Sequence, residues 1–198
     1  MTRPRPARQW IAPALLALAG LTTGSALAQT VETHGATFAE TVRIDDRPLQ
    51  LSGTGTVRYR LVFTVYAAAL HLPPQTPAEA VLAADTPRRL TIEYFHDISA
   101  EDIIRAANTK LAEQLTDAER EPLGSSIEQF HDLFRPVSEG DRYRMDYQPE
   151  KGTTLYFNGE PLGTVPGGDF AAAYFGIWLD AEAPLSASLR RDLLARVD

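Results

Sequence analysis

The sequence predicts an α+β domain built on an antiparallel sheet. Strand-like segments come in two groups, and each group is followed by helical segments. That order is typical of an α+β protein and not of a doubly wound parallel sheet. The second group contains Asn158-Gly159, a dipeptide that strongly indicates a tight hairpin. The 198 residues show no internal repeat and no dividing linker, so one domain is expected.

The first 28 residues have the three-part pattern of a secretory signal peptide. Three arginines precede an apolar run over residues 11–21, and small side chains stand at Ala26 and Ala28. We therefore expect cleavage after Ala28, export to the periplasm and a single domain over residues 29–198. The alternative is an N-terminal membrane anchor, which needs a longer apolar run of about 20 residues. No later segment is predicted to span a membrane.

Charge and composition exclude several classes of function. The chain carries 19 basic and 26 acidic residues, a net charge of −7. Residues 1–28 contain three of the basic residues and no acid, so the charge after cleavage is −10. Such a surface repels nucleic acid, and we expect no nucleic-acid partner. The chain has no cysteine, which excludes thiol catalysis and thiolate metal sites.

No sequence motif indicates a cofactor or a metal. The four histidines lie far apart, without the short spacing of metal ligands: His34, His71, His96 and His131. Gly53-Thr54-Gly55 lacks the third glycine of a dinucleotide-binding loop and leads into a strand instead of a helix. We therefore expect no cofactor and no bound metal.

Hydrophobic periodicity and turn residues predict the individual elements. Strands are predicted over residues 37–44, 49–52, 56–70, 88–95, 142–147, 153–157 and 162–165. Helices are predicted over residues 76–84, 99–115, 125–134, 170–179 and 186–194. Thr76, Ser99 and Ser186 are residue types that commonly cap the beginning of a helix.

The long strand predicted over residues 56–70 carries the candidate ligand-binding residues. With the period of two of a strand, Arg58, Thr64 and Tyr66 share one face, opposite an apolar face. If water covers the polar face, these are ordinary surface residues. If helices cover it, the buried arginine needs an anion and the two hydroxyls add hydrogen bonds. The second alternative predicts a pocket for a molecule with an acidic head and an apolar body.

The same segment resembles a known family. Residues 51–72 are similar to the glycine-rich, arginine-containing strand of the chalcone isomerase-like family, especially its bacterial exported branch. Further blocks agree in order: Thr116–Glu119, Phe130–Phe134, Gly140-Asp141, Tyr147–Thr153, Phe157–Gly159, Gly167–Phe170, Ile177–Leu179 and Leu189–Leu194. The resemblance implies an open-faced β-sandwich, in which a helical layer covers an antiparallel sheet.

The resemblance also bears on function. Relatives include chalcone isomerases, plant fatty-acid-binding proteins and accessory members without activity. In the isomerases an arginine, matched here by Arg58, binds the phenolate of the substrate with help from tyrosine, asparagine and threonine side chains. Ile98 and Arg105 stand where those enzymes place the tyrosine and the asparagine. The resemblance therefore supports the fold and argues against the reaction.

Together these observations predict a periplasmic, non-catalytic binding protein for a small amphipathic anion such as a fatty acid. Arg58 would pair with the carboxylate, and Thr64 and Tyr66 would donate hydrogen bonds. Two alternatives stay open. One is a cofactor-free intramolecular lyase or isomerase of chalcone isomerase type. The other is an accessory envelope protein that acts through a protein partner.

Overall fold

The computed structural model describes residues 29–59 and 63–197. The predicted signal peptide, residues 1–28, lies outside the described residues. Within the described ranges, no helix is long and apolar enough to cross a membrane.

Strands that follow one another in the sequence also lie side by side in the sheet. A two-stranded hairpin comes first, formed by β1 (Thr30–Thr33) and β2 (Ala36–Ala39). A curled antiparallel sheet of seven strands follows: β3 (Thr41–Ile44), β4 (Arg47–Tyr59), β5 (Phe63–Leu72), β6 (Arg88–Tyr94), β7 (Arg142–Gln148), β8 (Gly152–Phe157) and β9 (Glu160–Val165). The predicted α+β class with an antiparallel sheet is confirmed.

A layer of helices covers one face of this sheet, and the main core lies between them. The helices are α1 (Ala100–Gln114), α2 (Asp117–Arg120), α3 (Gly124–His131), α4 (Gly168–Leu179) and α5 (Ala187–Leu193). Ser99 caps α1 and Ser186 caps α5, each by accepting a backbone N–H from the first turn. Most residues of α4 are buried, which fits a helix that is apolar on nearly all sides.

The helix predicted over residues 76–84 is wrong. Only Ala78–Ala80 form a helical turn, and Pro77 before it makes no capping hydrogen bond. The hydroxyl of Thr76 donates to the carbonyl of Pro73 instead. The side chain that a capping box requires is therefore used by the preceding turn.

The single strand predicted over residues 56–70 is also wrong. β4 and β5 pair antiparallel up to Tyr59 and Phe63, so the chain reverses between those two residues. The sequence between them, Arg60-Leu61-Val62, contains no glycine, proline or asparagine that would mark a turn. Residues that favour strands continue through the reversal, so the pattern is that of one strand.

A β-bulge next to this reversal decides which side chains face the helices. Val57 pairs with Tyr66, whereas the next residue, Arg58, pairs with Thr64. Val65 therefore has no pairing partner on β4, which defines a bulge on β5. Because directly paired residues lie on the same face, Arg58 and Thr64 share a face, and Val57 and Tyr66 share the other.

The two faces of β4 and β5 are covered by different parts of the chain. The β1–β2 hairpin covers one face, where Phe38 packs near Leu51 and Ala69. On the helical face α5 crosses β4 very closely. A Cβ atom added to Gly53 would lie 2.0 Å from the carbonyl oxygen of Asp192. The glycine-rich segment is therefore a site of close backbone packing.

Candidate ligand-binding cavity

A cavity of about 220 Å³ lies between the sheet and the helical layer. Strands β4 to β8 form its floor, and α1 and α4 form its roof. Ala106 and Ala107 place small side chains on the part of α1 that lines the cavity, so the helix leaves space there. The other lining residues are Val57, Val65, Tyr66, Leu90, Ile92, Tyr94, Ile98, Asp102, Ile103, Phe134, Tyr143, Met145, Leu155, Tyr174, Ile177, Trp178 and Leu185.

Four tyrosines contribute most of the polar groups in this apolar wall. Tyr66, Tyr94 and Tyr143 come from three adjacent strands, and their rings meet edge to face at centroid distances of 5.6 and 6.2 Å. Tyr174 comes from α4, on the other side of the cavity. Aromatic rings thus supply apolar surface, while their hydroxyls supply hydrogen-bonding groups.

The hydroxyls of these tyrosines differ in their partners. Tyr66 accepts a hydrogen bond of 2.9 Å from the indole nitrogen of Trp178. The hydroxyl of Tyr143 donates to the carbonyl of Arg135 and accepts from the backbone N–H of the same residue, at 2.8 and 2.6 Å. The hydroxyl of Tyr174 is buried and has no hydrogen-bond partner within the described part of the chain.

Burial keeps the four tyrosines in their neutral form. It raises the pKa of Tyr66 and of Tyr174 far above the usual value for tyrosine. It raises the pKa of Tyr94 and Tyr143 as well. Each hydroxyl therefore carries its proton at physiological pH and can act as a hydrogen-bond donor.

Asp102 is the one residue with a full charge among the described residues that line the cavity. It accepts a hydrogen bond from the hydroxyl of Ser99 and forms an ion pair with Arg105. The Ser99 hydrogen bond, followed by the charge of Arg105, holds the pKa of Asp102 below its usual value. This carboxylate therefore stays ionised, with partners at the beginning of α1.

The structure separates the three residues expected to form the binding site. Tyr66 is buried and lines the cavity. Thr64 is buried but lies outside the lining, and Arg58 is exposed. The expected common face is not formed, because the bulge at Val65 places Arg58 and Thr64 opposite Tyr66. Contact of these three residues with a ligand stays a prediction.

Ile98 and Arg105, which stand where the isomerases have a tyrosine and an asparagine, also lie in different surroundings. Ile98 lines the cavity, so its apolar side chain occupies part of the wall. Arg105 is exposed and pairs with Asp102. In the described ranges, no group of three or more histidine, aspartate or glutamate residues is placed to hold a metal ion.

Several cavity residues were missed by the sequence reasoning: Tyr94, Tyr143, Tyr174 and Trp178. A signal for them was present, because each lies on a predicted strand or helix and combines an aromatic ring with a polar atom. Such side chains commonly line sites that are apolar yet need a few hydrogen bonds. What the sequence lacked was the pairing of strands that brings the rings together.

Fold and cavity together define a class: an α+β protein that encloses an apolar site between a curled antiparallel sheet and a layer of helices. The chain belongs to the chalcone isomerase-like family, whose profile matches residues 30–195. The family resemblance found in the sequence is thereby confirmed.

A solved structure shows the same fold. The crystal structure of a fatty-acid binding protein from Arabidopsis thaliana matches with a TM-score of 0.65 and 15% sequence identity. The match covers 84% of this chain and 96% of that chain. A search of curated proteins finds no match.

Proposed function

We propose that this protein is a non-catalytic binding protein that holds one small amphipathic, lipid-like molecule, such as a medium-chain fatty acid, in the cavity. We further propose that it acts in the periplasm after removal of residues 1–28. The observation that carries the binding role is the apolar cavity with neutral tyrosine hydroxyls in its wall. Membership of the family and the fold shared with a fatty-acid binding protein support it.

The volume of the cavity limits the size of the ligand. A group the size of a water molecule takes about 30 Å³ in a liquid, and a methylene group is similar in size. A cavity of about 220 Å³ therefore holds a chain of about seven such groups. Chains of six to ten carbons fit, with any excess at the opening, whereas a long-chain lipid requires the cavity to enlarge.

The energetics require the polar groups to contribute. Burying about seven methylene groups at ~0.8 kcal/mol each gives roughly 5–6 kcal/mol before the entropic cost of association. That cost offsets most of the gain, so apolar contact alone gives weak binding. Hydrogen bonds from the tyrosine hydroxyls are needed to hold the ligand and to orient it.

The titratable groups around the cavity support binding over catalysis. The tyrosines keep their protons because burial raises their pKa, and the carboxylate of Asp102 is occupied by Ser99 and Arg105. A general base needs a pKa near the working pH and a free hydrogen-bonding position. The described lining residues offer no group with both properties.

Calorimetric titration with octanoic acid at pH 5.5 tests the proposal, together with native mass spectrometry of protein purified from the periplasm. We expect one ligand per protein and a dissociation constant of about 0.1–1 mM, because the hydrogen bonds add only about 1–3 kcal/mol to a small net apolar gain. Ala107→Leu, which adds three carbons inside the cavity, should weaken binding at least tenfold. The matched control is Ala112→Leu on the exposed side of α1. The proposal fails if ligands of six to ten carbons give no heat and no bound mass.

A further inference from the structure

Tyr174 presents a buried hydrogen-bond donor that the folded chain leaves unused. The residue is 1% exposed, and its hydroxyl finds no partner among the described residues. Leaving such a group unpaired is costly, and native proteins pair nearly all buried polar atoms. Because Tyr174 lines the cavity, a molecule held there can supply the partner that the hydroxyl lacks.

Tyr66 offers a second donor in the same wall. Its oxygen accepts the hydrogen bond from Trp178, and an indole N–H can only donate. The proton of the Tyr66 hydroxyl is therefore not used in that bond. Tyr66 lines the cavity from β5 and Tyr174 lines it from α4, so tyrosine side chains stand on both the sheet side and the helix side of the cavity.

The charges around the cavity disfavour an anion. Its titratable side chains are Tyr66 on β5, Tyr94 on β6, Tyr143 on β7, Tyr174 on α4 and Asp102 on α1, and His131 on α3 packs against Tyr174 from outside the lining. Among the described lining residues there is no lysine, arginine or histidine, and the one full charge, on Asp102, is already paired with the exposed Arg105. A carboxylate moved from water to such a site loses its hydration without gaining a cation.

Resting on the proposed function, we propose that the cavity takes the polar end of its ligand in an uncharged form. A ketone, an ester or a protonated carboxylic acid presents an oxygen that accepts hydrogen bonds from the hydroxyls of Tyr174 and Tyr66. This differs from the expectation that an arginine pairs with a carboxylate, and it makes neutral carbonyl compounds the preferred ligand class.

The behaviour of the tyrosines supports this preference. Burial raises their pKa because the surroundings disfavour a negative charge, and a bound carboxyl group experiences the same surroundings. An acid then binds with its proton. Its apparent affinity falls as the pH rises above its own pKa in water, by up to about tenfold per pH unit. A ketone has no such proton and keeps its affinity.

The experiment compares 2-nonanone with octanoic acid, two ligands of similar length, by calorimetric titration at pH 5.5 and pH 8.0. We expect the dissociation constant of 2-nonanone to change less than twofold between the two pH values. That of octanoic acid should rise more than thirtyfold. Circular dichroism at both pH values establishes that the protein is folded in each titration.

Two tyrosine variants connect the effect to the cavity. Tyr174→Phe should weaken the binding of 2-nonanone about five- to tenfold. It should not lower the melting temperature of the free protein, because the hydroxyl that it removes is unpaired in the free protein. Tyr156→Phe is the matched control, because Tyr156 lies outside the cavity and stacks under the guanidinium of Arg144. It should leave the affinity unchanged.

The results distinguish a failure of the uncharged polar end from a failure of the proposed binding role. The inference of an uncharged polar end is wrong if octanoic acid binds equally well at pH 8.0, or if Tyr174→Phe binds 2-nonanone as tightly as the unchanged protein. The proposed binding role stands in both cases. If neither ligand binds at either pH, the proposed function is wrong, and this inference with it.

Discussion

The indole nitrogen of Trp178 lies 2.9 Å from the hydroxyl oxygen of Tyr66, and this hydrogen bond connects α4 to β5 across the cavity. Tyr66 is 7% exposed, so its hydroxyl depends on partners within the protein. The bond holds the Tyr66 ring in place beside Tyr94, at a centroid distance of 5.6 Å. It therefore fixes the part of the sheet from which the cavity's polar groups project.

The first prediction concerns this bond. Tyr66→Phe should lower the free energy of unfolding by about 1–2 kcal/mol, because it leaves the indole N–H of Trp178 without its acceptor. Trp178→Phe should cost more, about 2–3 kcal/mol, since it also removes buried ring surface. Urea denaturation measures both. The double variant should cost less than the sum of the two; strict additivity would show that the bond contributes nothing to stability.

Arg58 distinguishes two positions for the ligand's polar end. If the carboxylate lies at Arg58, Arg58→Ala should weaken the binding of octanoic acid by roughly 2–4 kcal/mol. Because Arg58 is exposed and lies outside the cavity lining, we expect instead a change below twofold in the dissociation constant. Calorimetric titration at pH 5.5 measures it. A loss of affinity of tenfold or more in this variant would show that the carboxylate binds at Arg58.

The fold class could be predicted from the sequence because it depends on local signals. Asn158-Gly159 occupies the turn between β8 and β9, with positive φ angles of 49° and 88°, as its turn chemistry requires. Ser99 and Ser186 cap the helices expected to follow them. Such features depend on a few neighbouring residues, so the sequence carries them directly.

The candidate site could be predicted only in part, because it depends on strand pairing. The reversal between Tyr59 and Phe63 has no turn residue to mark it, and the bulge at Val65 depends on the partner strand. The bulge alone changes the face on which Arg58 lies relative to Tyr66, because the pairing of Tyr59 with Phe63 by itself would leave Arg58 and Tyr66 on one face. Counting alternate positions along one assumed strand groups Tyr66 with Arg58, although in the structure only Tyr66 of the two lines the cavity. The same count does not reach Tyr174, which lies on α4.

Close packing at Gly53 gives a prediction about stability. Gly53→Ala should destabilise the protein by about 2–4 kcal/mol, because the new methyl group would meet the backbone of α5 at Asp192 and Leu193. Gly124→Ala is the control. A Cβ there meets nothing within 4 Å, and alanine favours a helix, so stability should rise by up to about 1 kcal/mol. Thermal denaturation compares the two. Equal stability of both variants would contradict the close contact.

A last prediction concerns acid. His71 is 2% exposed, and its Nε2 lies 2.7 Å from the carbonyl oxygen of Ala39, a geometry in which the ring donates. Burial lowers the pKa of His71 below the usual value of 6.5 and outweighs the hydrogen bond to Ala39, which raises it. The charge of Arg89 also lowers this pKa, whereas the charges of Asp146 and Glu40 raise it. His71 therefore binds a proton less readily in the folded protein than in the unfolded chain.

The sign of the effect follows from that difference in proton binding. The stability that the neutral His71 contributes is complete above pH 6.5 and is lost as the pH falls toward the lower pKa of the folded state. Burial also lowers the pKa of His131, which acts in the same direction. We therefore expect the free energy of unfolding to decrease from pH 7.5 to pH 5.5, with a slope of up to about 1.4 kcal/mol per pH unit for each of the two histidines.

Urea denaturation at pH 7.5, 6.5 and 5.5 measures this slope. His71→Gln retains an N–H that can reach the Ala39 carbonyl but cannot titrate, so the slope should decrease by about half and the part due to His131 should persist. His96→Gln is the matched control, because His96 is exposed and should leave the slope unchanged. If His71→Gln keeps the full slope, the acid sensitivity arises elsewhere, since the neutral ring of His71 would then contribute no pH-dependent stability.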